Sequence, residues 1–346
     1  MTPAPPRPRV LLTTQPGWDV AVTAELRTLG VPGRFPVRHR GSSVLVPDLR
    51  RTGPAALSTP AVAFRILLSA VAARGADAVS TLLGALRTAA LRQPIVEALQ
   101  GSARRGLRRY AIATEVYGRT SANRKQLAAS VERAILTAFP RWQRAPEAGA
   151  RFLCKADPEH AVLALQTATN LSTDPGLRAG ALREHLAASL LVLARAAPGS
   201  AVFDPFMGTG TILKVAAKRF GVQSCYGLEV SRDAFLSARQ RLSGTPSHLF
   251  NTGFEEFDLD RLPKPTRLVA NLPFGQRFLR TPSRPLIELV QENPFAGRHV
   301  ALLMSREQAR EIAAATKLHA RNVLVLGQAA AILSDSPAAE SSRAKR

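Results

Sequence analysis

Asn271 stands in the stretch ANLPFGQR, where the apolar run TRLVA comes to an end. Asn and Pro both favour turns, so one reading of the stretch is a polar turn. The other is a pocket for an amino group. The Asn271 side-chain oxygen and the Leu272 carbonyl would accept hydrogen bonds from an exocyclic NH₂, Pro273 would set the chain direction, and Phe274 would offer a stacking face to a flat base. An aromatic amine is a poor nucleophile because its lone pair is delocalised into the ring. Two acceptors on its hydrogens draw the nitrogen toward a tetrahedral arrangement and aim the lone pair outward. That is catalysis by positioning and electrostatics, with no strong base required.

Two earlier stretches supply a ligand site for such chemistry. In FDPFMGTGT, a strand candidate ends in Asp204, and a turn containing Gly208 and Gly210 feeds a helix from about Thr211. Glycines there let a ligand approach the backbone closely. The pattern is neither G-x-G-x-x-G nor a Walker loop, and Asp204 would repel phosphate while suiting a cationic or hydroxyl-bearing ligand. In YGLEV, Glu229 ends the next strand candidate about twenty residues further on, where an acid accepts hydrogen bonds from both ribose hydroxyls of a nucleoside cofactor.

Such residues need strand ends to hold them, and the second half of the chain provides these. AVFDPF, SCYGLEV, HLFNT, TRLVANLPF and HVALLMS alternate with helical patterns such as RDAFLSARQRL, RPLIELVQEN and REQAREIAAATK, which predicts a mostly parallel sheet with helices on both faces. NVLVLGQ and AAAILSD read as a hairpin at one edge. The first half reads as α/β: RVLLTT, SSVLVPD, RRYAIATEVYG and AVLALQTAT as strands, WDVAVTAELRTLG as a helix, and the Ala/Leu-rich AVAFRILLSAVAAR and VSTLLGALRTAAL as helices. Ser121 or Asn123 is placed to cap a helix from about Arg124 to Phe139.

The 346 residues carry a net charge of +22, and 40 of the 47 basic residues are Arg, whose planar fork pairs with phosphate and stacks on bases. A polyanionic partner, nucleic acid above all, follows from the shortage of acids. Basic residues gather at Arg104, Arg105, Arg108 and Arg109, and again at Arg119, Arg124 and Lys125; Arg277 follows the base-pocket stretch, as a phosphate grip or a surface cation. No apolar run is long enough to span a bilayer, the first residues make a poor signal peptide, and Cys154 and Cys225 have neither metal-ligand nor disulfide spacing. The expectation is a cytoplasmic chain with no metal and no membrane. His185 lies among apolar residues and reads as structural rather than as a base.

DPFMGTGT, GLEV and NLPFGQR, in that order, resemble motifs of class I S-adenosylmethionine-dependent methyltransferases, and the Leu form followed by Gly-Gln-Arg is similar to the RNA guanine-N2 branch. YAIATEVYGRTSANRKQLAASVERAI is similar, more diffusely, to a THUMP module. Together the chain resembles the THUMP-containing tRNA guanine-N2 methyltransferases. The resemblance implies an α/β fold: an N-terminal ferredoxin-like α/β part over 1–58, a THUMP-like RNA-binding domain over 59–170, a Rossmann-like methyltransferase domain with a mostly parallel seven-stranded sheet over 171–335, and a disordered tail over 336–346. It also implies S-adenosylmethionine as cofactor and tRNA as partner of a monomer. Asp204, Phe206, Gly208, Thr209, Gly210, Thr211, Glu229, Val230, Asn251 and Asn271 would line the cofactor, with Leu182 and Arg183 near it. Asn271, Leu272, Pro273 and Phe274 would hold the target base. Arg104, Arg105, Arg108, Arg109, Arg119, Arg124, Lys125 and Arg277 would meet RNA. The family usually places an acid after the third strand for the cofactor's adenine; here Asn251 or Glu255 is nearest, or a backbone group serves. Alternatives are an rRNA guanine-N2 or nucleic-acid adenine-N6 methyltransferase, or an RNA-binding protein with a vestigial catalytic domain.

Overall fold

The computed structural model describes residues 10–31, 43–46, 57–72, 74–100, 108–169, 182–272, 283–291, 295 and 299–335. The first half of the chain contributes β1 (Val10–Thr13), α1 (Asp19–Thr28), β2 (Ser43–Val46), β3 (Val62–Val71), α2 (Ala78–Thr88), α3 (Arg92–Gln100), β4 (Arg109–Val116), α4 (Arg124–Ala138), β5 (Gln143–Arg144), β6 (Ala150–Ala156) and β7 (His160–Thr169). The second half contributes α5 (Glu184–Leu193), β8 (Ala201–Asp204), α6 (Thr211–Phe220), β9 (Ser224–Leu228), α7 (Arg232–Arg241), β10 (Ser247–Phe250), β11 (Thr266–Asn271), α8 (Ser283–Gln291), β12 (Val300–Met304), α9 (Arg306–Ala315), β13 (His319–Val325) and β14 (Gln328–Ser334).

These form two compact units. One holds the described residues within 1–13, 31–39 and 43–169; the other holds those within 14–30 and 170–346. The N-terminal unit is a single sheet in the order β2-β1-β3-β7-β6-β4-β5, so the segments expected as 1–58 and 59–170 share strands of one sheet. Its main core lies under α2, α3 and α4, against alternate residues such as Tyr110, Phe152, Cys154, Leu163 and Leu165. Asn123 caps α4 through a capping box with Gln126, and Asp77 caps α2.

One expected helix here is a strand. AVAFRILLSAVAAR contains β3, which is hydrogen-bonded to β1 on one side and β7 on the other. Its Ala and Leu content reads as helical, but pairing on both sides outweighs propensity. Register shifts between Ala63/Phe64 and Ile66/Leu68 also break the two-residue alternation that marks a strand. Neither β6 nor α3 is evident from pattern alone. In β6 the charged Lys155 is almost fully buried, 3.3 Å from Glu115 Oε2 and 2.9 Å from Ser43 Oγ.

The C-terminal unit is a seven-stranded sheet in the order β10-β9-β8-β11-β12-β14-β13, as expected mostly parallel, with the antiparallel β13–β14 hairpin at one edge. Helices cover both faces, so successive strand residues are buried on opposite sides: Val202 and Val269 face α5 and α6, while Phe203 and Leu268 face α8 and Phe295. This unit also includes α1. Trp18, fully buried, packs into the core with α5, and its Nε1 donates to Leu324 O at 2.9 Å. Leu324 N–H in turn donates to Pro16 O at 3.0 Å, so the turn before α1 partners the edge strand β13.

Candidate active site

Register fixes which residues meet. Asp204 of β8 pairs with Gly227 of β9, Leu228 of β9 with Phe250 of β10, and Asn271 of β11 with Leu303 of β12. The strands are parallel, so Asp204, Glu229, Asn251 and Asn271 all lie at one carboxyl edge, where open α/β sheets bind ligands.

Asp204 is buried, and its Oδ1 accepts from Phe206 N–H at 3.0 Å. Burial raises its pKa to about 8; the nearby Glu229 adds to the shift and the Phe206 hydrogen bond opposes it. Gly208 and Gly210 follow, both left-handed at φ +55° and +80°, a region that favours glycine. Gly210 N–H donates to Met207 O at 2.8 Å, and Met207 N–H to Leu228 O at 3.0 Å, which ties the turn to the end of β9. Thr211, nearly buried, opens α6.

Glu229 locks the same edge. Its Oε2 accepts from Gly208 N–H at 3.0 Å and its Oε1 from Ser231 N–H at 2.7 Å. An ionised carboxylate has about four acceptor positions, so lone pairs remain for two hydroxyls. Asn251 Nδ2 donates to Glu229 O at 2.6 Å and Val230 O at 3.1 Å. Those bonds settle the amide's orientation and leave Oδ1 as an acceptor for a ligand amino group. Val230 is 73% exposed beside Gly253, and Phe206 meets Phe254 edge-on at 5.3 Å, so an apolar wall adjoins these polar groups.

Asn271 Oδ1 is buried and has no hydrogen-bond partner among the described residues. The backbone beside it is already committed, since Leu272 N–H donates to Leu303 O at 2.9 Å. A buried carbonyl oxygen left without a donor is costly. Pro273, Phe274 and Arg277 lie outside the described residues, as do Arg104, Arg105 and the 336–346 tail.

The remaining basic residues do not form one cluster. Arg108 and Arg109 are exposed at the start of β4, whereas Arg119, Arg124 and Lys125 are exposed beyond its far end, around the α4 N-terminus. At about 3.3 Å per residue, β4 separates the two groups by roughly 23 Å. His185 is fully buried, with neither ring nitrogen hydrogen-bonded among the described residues, and burial, together with Arg183 and Arg219, lowers its pKa to about 4. It is a neutral core histidine. Sequence reasoning passed over Gly227, whose lack of a Cβ matters: one added there would meet Met207 Sδ at 2.4 Å and Leu213 Cδ1 at 2.6 Å. A glycine in a strand interior is the available signal.

Among the described residues no group of three or more His, Cys, Asp or Glu is placed to hold a metal ion, and no helix is long and apolar enough to cross a membrane. The site fits the cofactor implied by the motifs: a buried acid for an ammonium, a carboxylate with spare lone pairs for a ribose, and a free amide oxygen for an adenine amine.

Sheet order, glycine turn and strand-end acids define a class I methyltransferase domain. Residues 175–293 match the model of the RMKL-like methyltransferase domain family. The match supports the methyltransferase part of the resemblance drawn from the motifs. Human THUMPD2, described as a U6 snRNA (guanine-N(2))-methyltransferase, is 26% identical over 154 residues, 41% of this chain and 29% of that protein. The chain thus spans less than a third of the length of that curated relative. The crystal structure of TrmN from Thermus thermophilus superposes with a TM-score of 0.70 at 24% identity, covering 94% of this chain and 98% of that one. SMU.472, a putative methyltransferase solved in complex with S-adenosylhomocysteine, gives a TM-score of 0.60 at 13% identity over 94% and 97% of the two chains. These structural likenesses show the fold.

Proposed function

We propose that the chain methylates the exocyclic N2 amine of a guanosine in tRNA, in the cytoplasm, with S-adenosylmethionine as methyl donor. The observation that carries this reading is the buried, unpartnered Oδ1 of Asn271 at the end of β11, one residue before the base-pocket turn. The guanine-N2 activity of THUMPD2 on an RNA supports guanine over adenine and RNA over DNA.

The bound cofactor supplies an electrophilic methyl group on a sulfonium. Asp204 would take its ammonium, Glu229 its ribose hydroxyls, and Asn251 Oδ1 its adenine amine, with Val230 against the adenine face. Asn271 Oδ1 and the Leu272 carbonyl accept the two N–H bonds of the guanine amine, and Phe274 stacks on the base. The nitrogen lone pair is thereby aimed for in-line attack. The N–C bond would form as the sulfonium C–S bond breaks, S-adenosylhomocysteine would leave as a neutral thioether, and the surplus proton on nitrogen would go to water. The exposed arginines and Lys125 of the N-terminal unit hold the RNA backbone, in two separate contacts rather than one.

The test is purified protein, labelled cofactor and bulk tRNA lacking its own modification, followed by nucleoside mass spectrometry. N2-methylguanosine is expected. N6-methyladenine as product, or no label on tRNA, overturns the assignment. Asn271→Ala is expected to lower methyl transfer by at least about a hundredfold, as for removal of one oxyanion-hole donor, while tRNA binding stays within about twofold; undiminished turnover would remove the proposed role of its oxygen.

A further inference from the structure

Arg241, the last residue of α7, reaches across to the glycine turn. Its Nη1 lies 2.9 Å from Thr209 Oγ1 and 3.4 Å from Thr209 O. Thr209 sits between the two left-handed glycines, Gly208 and Gly210. The same helix backs the turn sterically, because a Cβ on Gly210 would come within 2.8 Å of Leu242 Cδ1 and 3.4 Å of Ala238 Cβ. The end of α7 is therefore the rear support of the turn, and Arg241 supplies the polar contact in it.

A guanidinium donates hydrogen bonds and accepts none. Thr209 Oγ1 is thus an acceptor toward Arg241, and the hydroxyl hydrogen is left for another partner. A hydroxyl oxygen that accepts from a cation is polarised, and becomes a stronger donor. Asp204, a buried acid suited to an ammonium, ends β8 just before the same turn. We infer that Arg241 is a positioning residue that makes the Thr209 hydroxyl a donor for the carboxylate of the cofactor's amino-acid end, so that the turn reads a zwitterion by opposite partners, Asp204 and the Arg241–Thr209 pair. This rests on the S-adenosylmethionine reading above. Arg241 itself need not touch the ligand.

The inference is tested with two thioethers that differ only in the amino-acid end. S-adenosylhomocysteine carries it and 5′-methylthioadenosine does not. Isothermal titration of the full chain should show Arg241→Ala weakening S-adenosylhomocysteine by about tenfold, the scale of one hydrogen bond to a charged group, with 5′-methylthioadenosine changed by less than about twofold. Arg241→Lys, which keeps a donor, should fall between. Thr209→Val should reproduce the Arg241→Ala pattern, and stands in for it if Arg241→Ala fails to fold. Equal weakening of both thioethers would assign Arg241 a merely structural role and overturn the inference, as would no weakening of either. A wild-type chain that binds neither thioether would instead overturn the cofactor reading, and the inference with it.

Discussion

In the proposed site, Asp204 would meet the cofactor's ammonium as an acid that still holds its proton. With a pKa of about 8 it is mostly neutral at pH 7, because burial disfavours the carboxylate and Glu229 adds repulsion. An ammonium beside it favours the charged form, so binding releases a proton. The sign follows: below about pH 8 affinity falls as pH falls, approaching about tenfold per unit well below the pKa, and it levels above. Titration of S-adenosylhomocysteine between pH 6 and 8.5 should show this slope, and Asp204→Asn should bind more weakly with no slope. A wild-type affinity flat across that range would show that Asp204 does not face the ammonium. For the apo fold the sign is the reverse of an ordinary aspartate's: the raised pKa means stability is fully present near pH 3.8 and is lost as pH rises through about 8. The positions of Asp204, Glu229, Asn251 and Asn271 were legible in the sequence because each ends a strand. The protonation of Asp204 and the reach of Arg241 were not, since both come from neighbours more than twenty residues away.

At the scale of elements, β9 shows how a side chain's absence positions a site. Met207 and Leu213 occupy the space over Gly227, and Met207 N–H ties the turn to Leu228. Gly227→Ala overpacks that contact, which costs about 1–3 kcal/mol. The expected outcome is a lower Tm together with weaker S-adenosylhomocysteine binding, because the glycine turn must shift; calorimetry and titration on the same preparation read both. Unchanged binding in a destabilised variant would show that the turn does not depend on β9. The C-terminal elements were legible to within about three residues, because the central strands β8, β9 and β12 are mostly apolar and several helices start at a clear signal, such as the caps Ser231 and Ser305 or the glycine pair. The N-terminal unit was less so. The bulged β3 loses its alternation, and β6 hides a buried lysine whose partners, Glu115 and Ser43, come from other strands.

For the whole molecule, local patterns say least about which distant segments share a core. The helix α1 has an ordinary amphipathic sequence, and nothing local says that it packs with α5. Trp18 carries that contact, by burial and by its hydrogen bond to Leu324 O. Trp18→Ala is expected to cost about 3–5 kcal/mol, and Trp18→Phe about 1 kcal/mol for the lost hydrogen bond. Urea unfolding of the full chain, followed by a probe in the C-terminal unit, checks both. A Trp18→Ala midpoint equal to wild type would mean that α1 contributes nothing to that unit.

The same arrangement means that neither unit is a continuous stretch of chain. The polypeptide begins in one, lends residues 14–30 to the other, returns, and crosses again near 170. Ribosomal synthesis therefore delivers α1 long before the sheet it belongs to, and the catalytic unit is not complete in sequence until its first helix and its last hairpin, some three hundred residues apart, have come together. A fragment that starts at the methyltransferase motifs lacks part of its own core; residues 14–30 added as a separate peptide are what it would need to recover it.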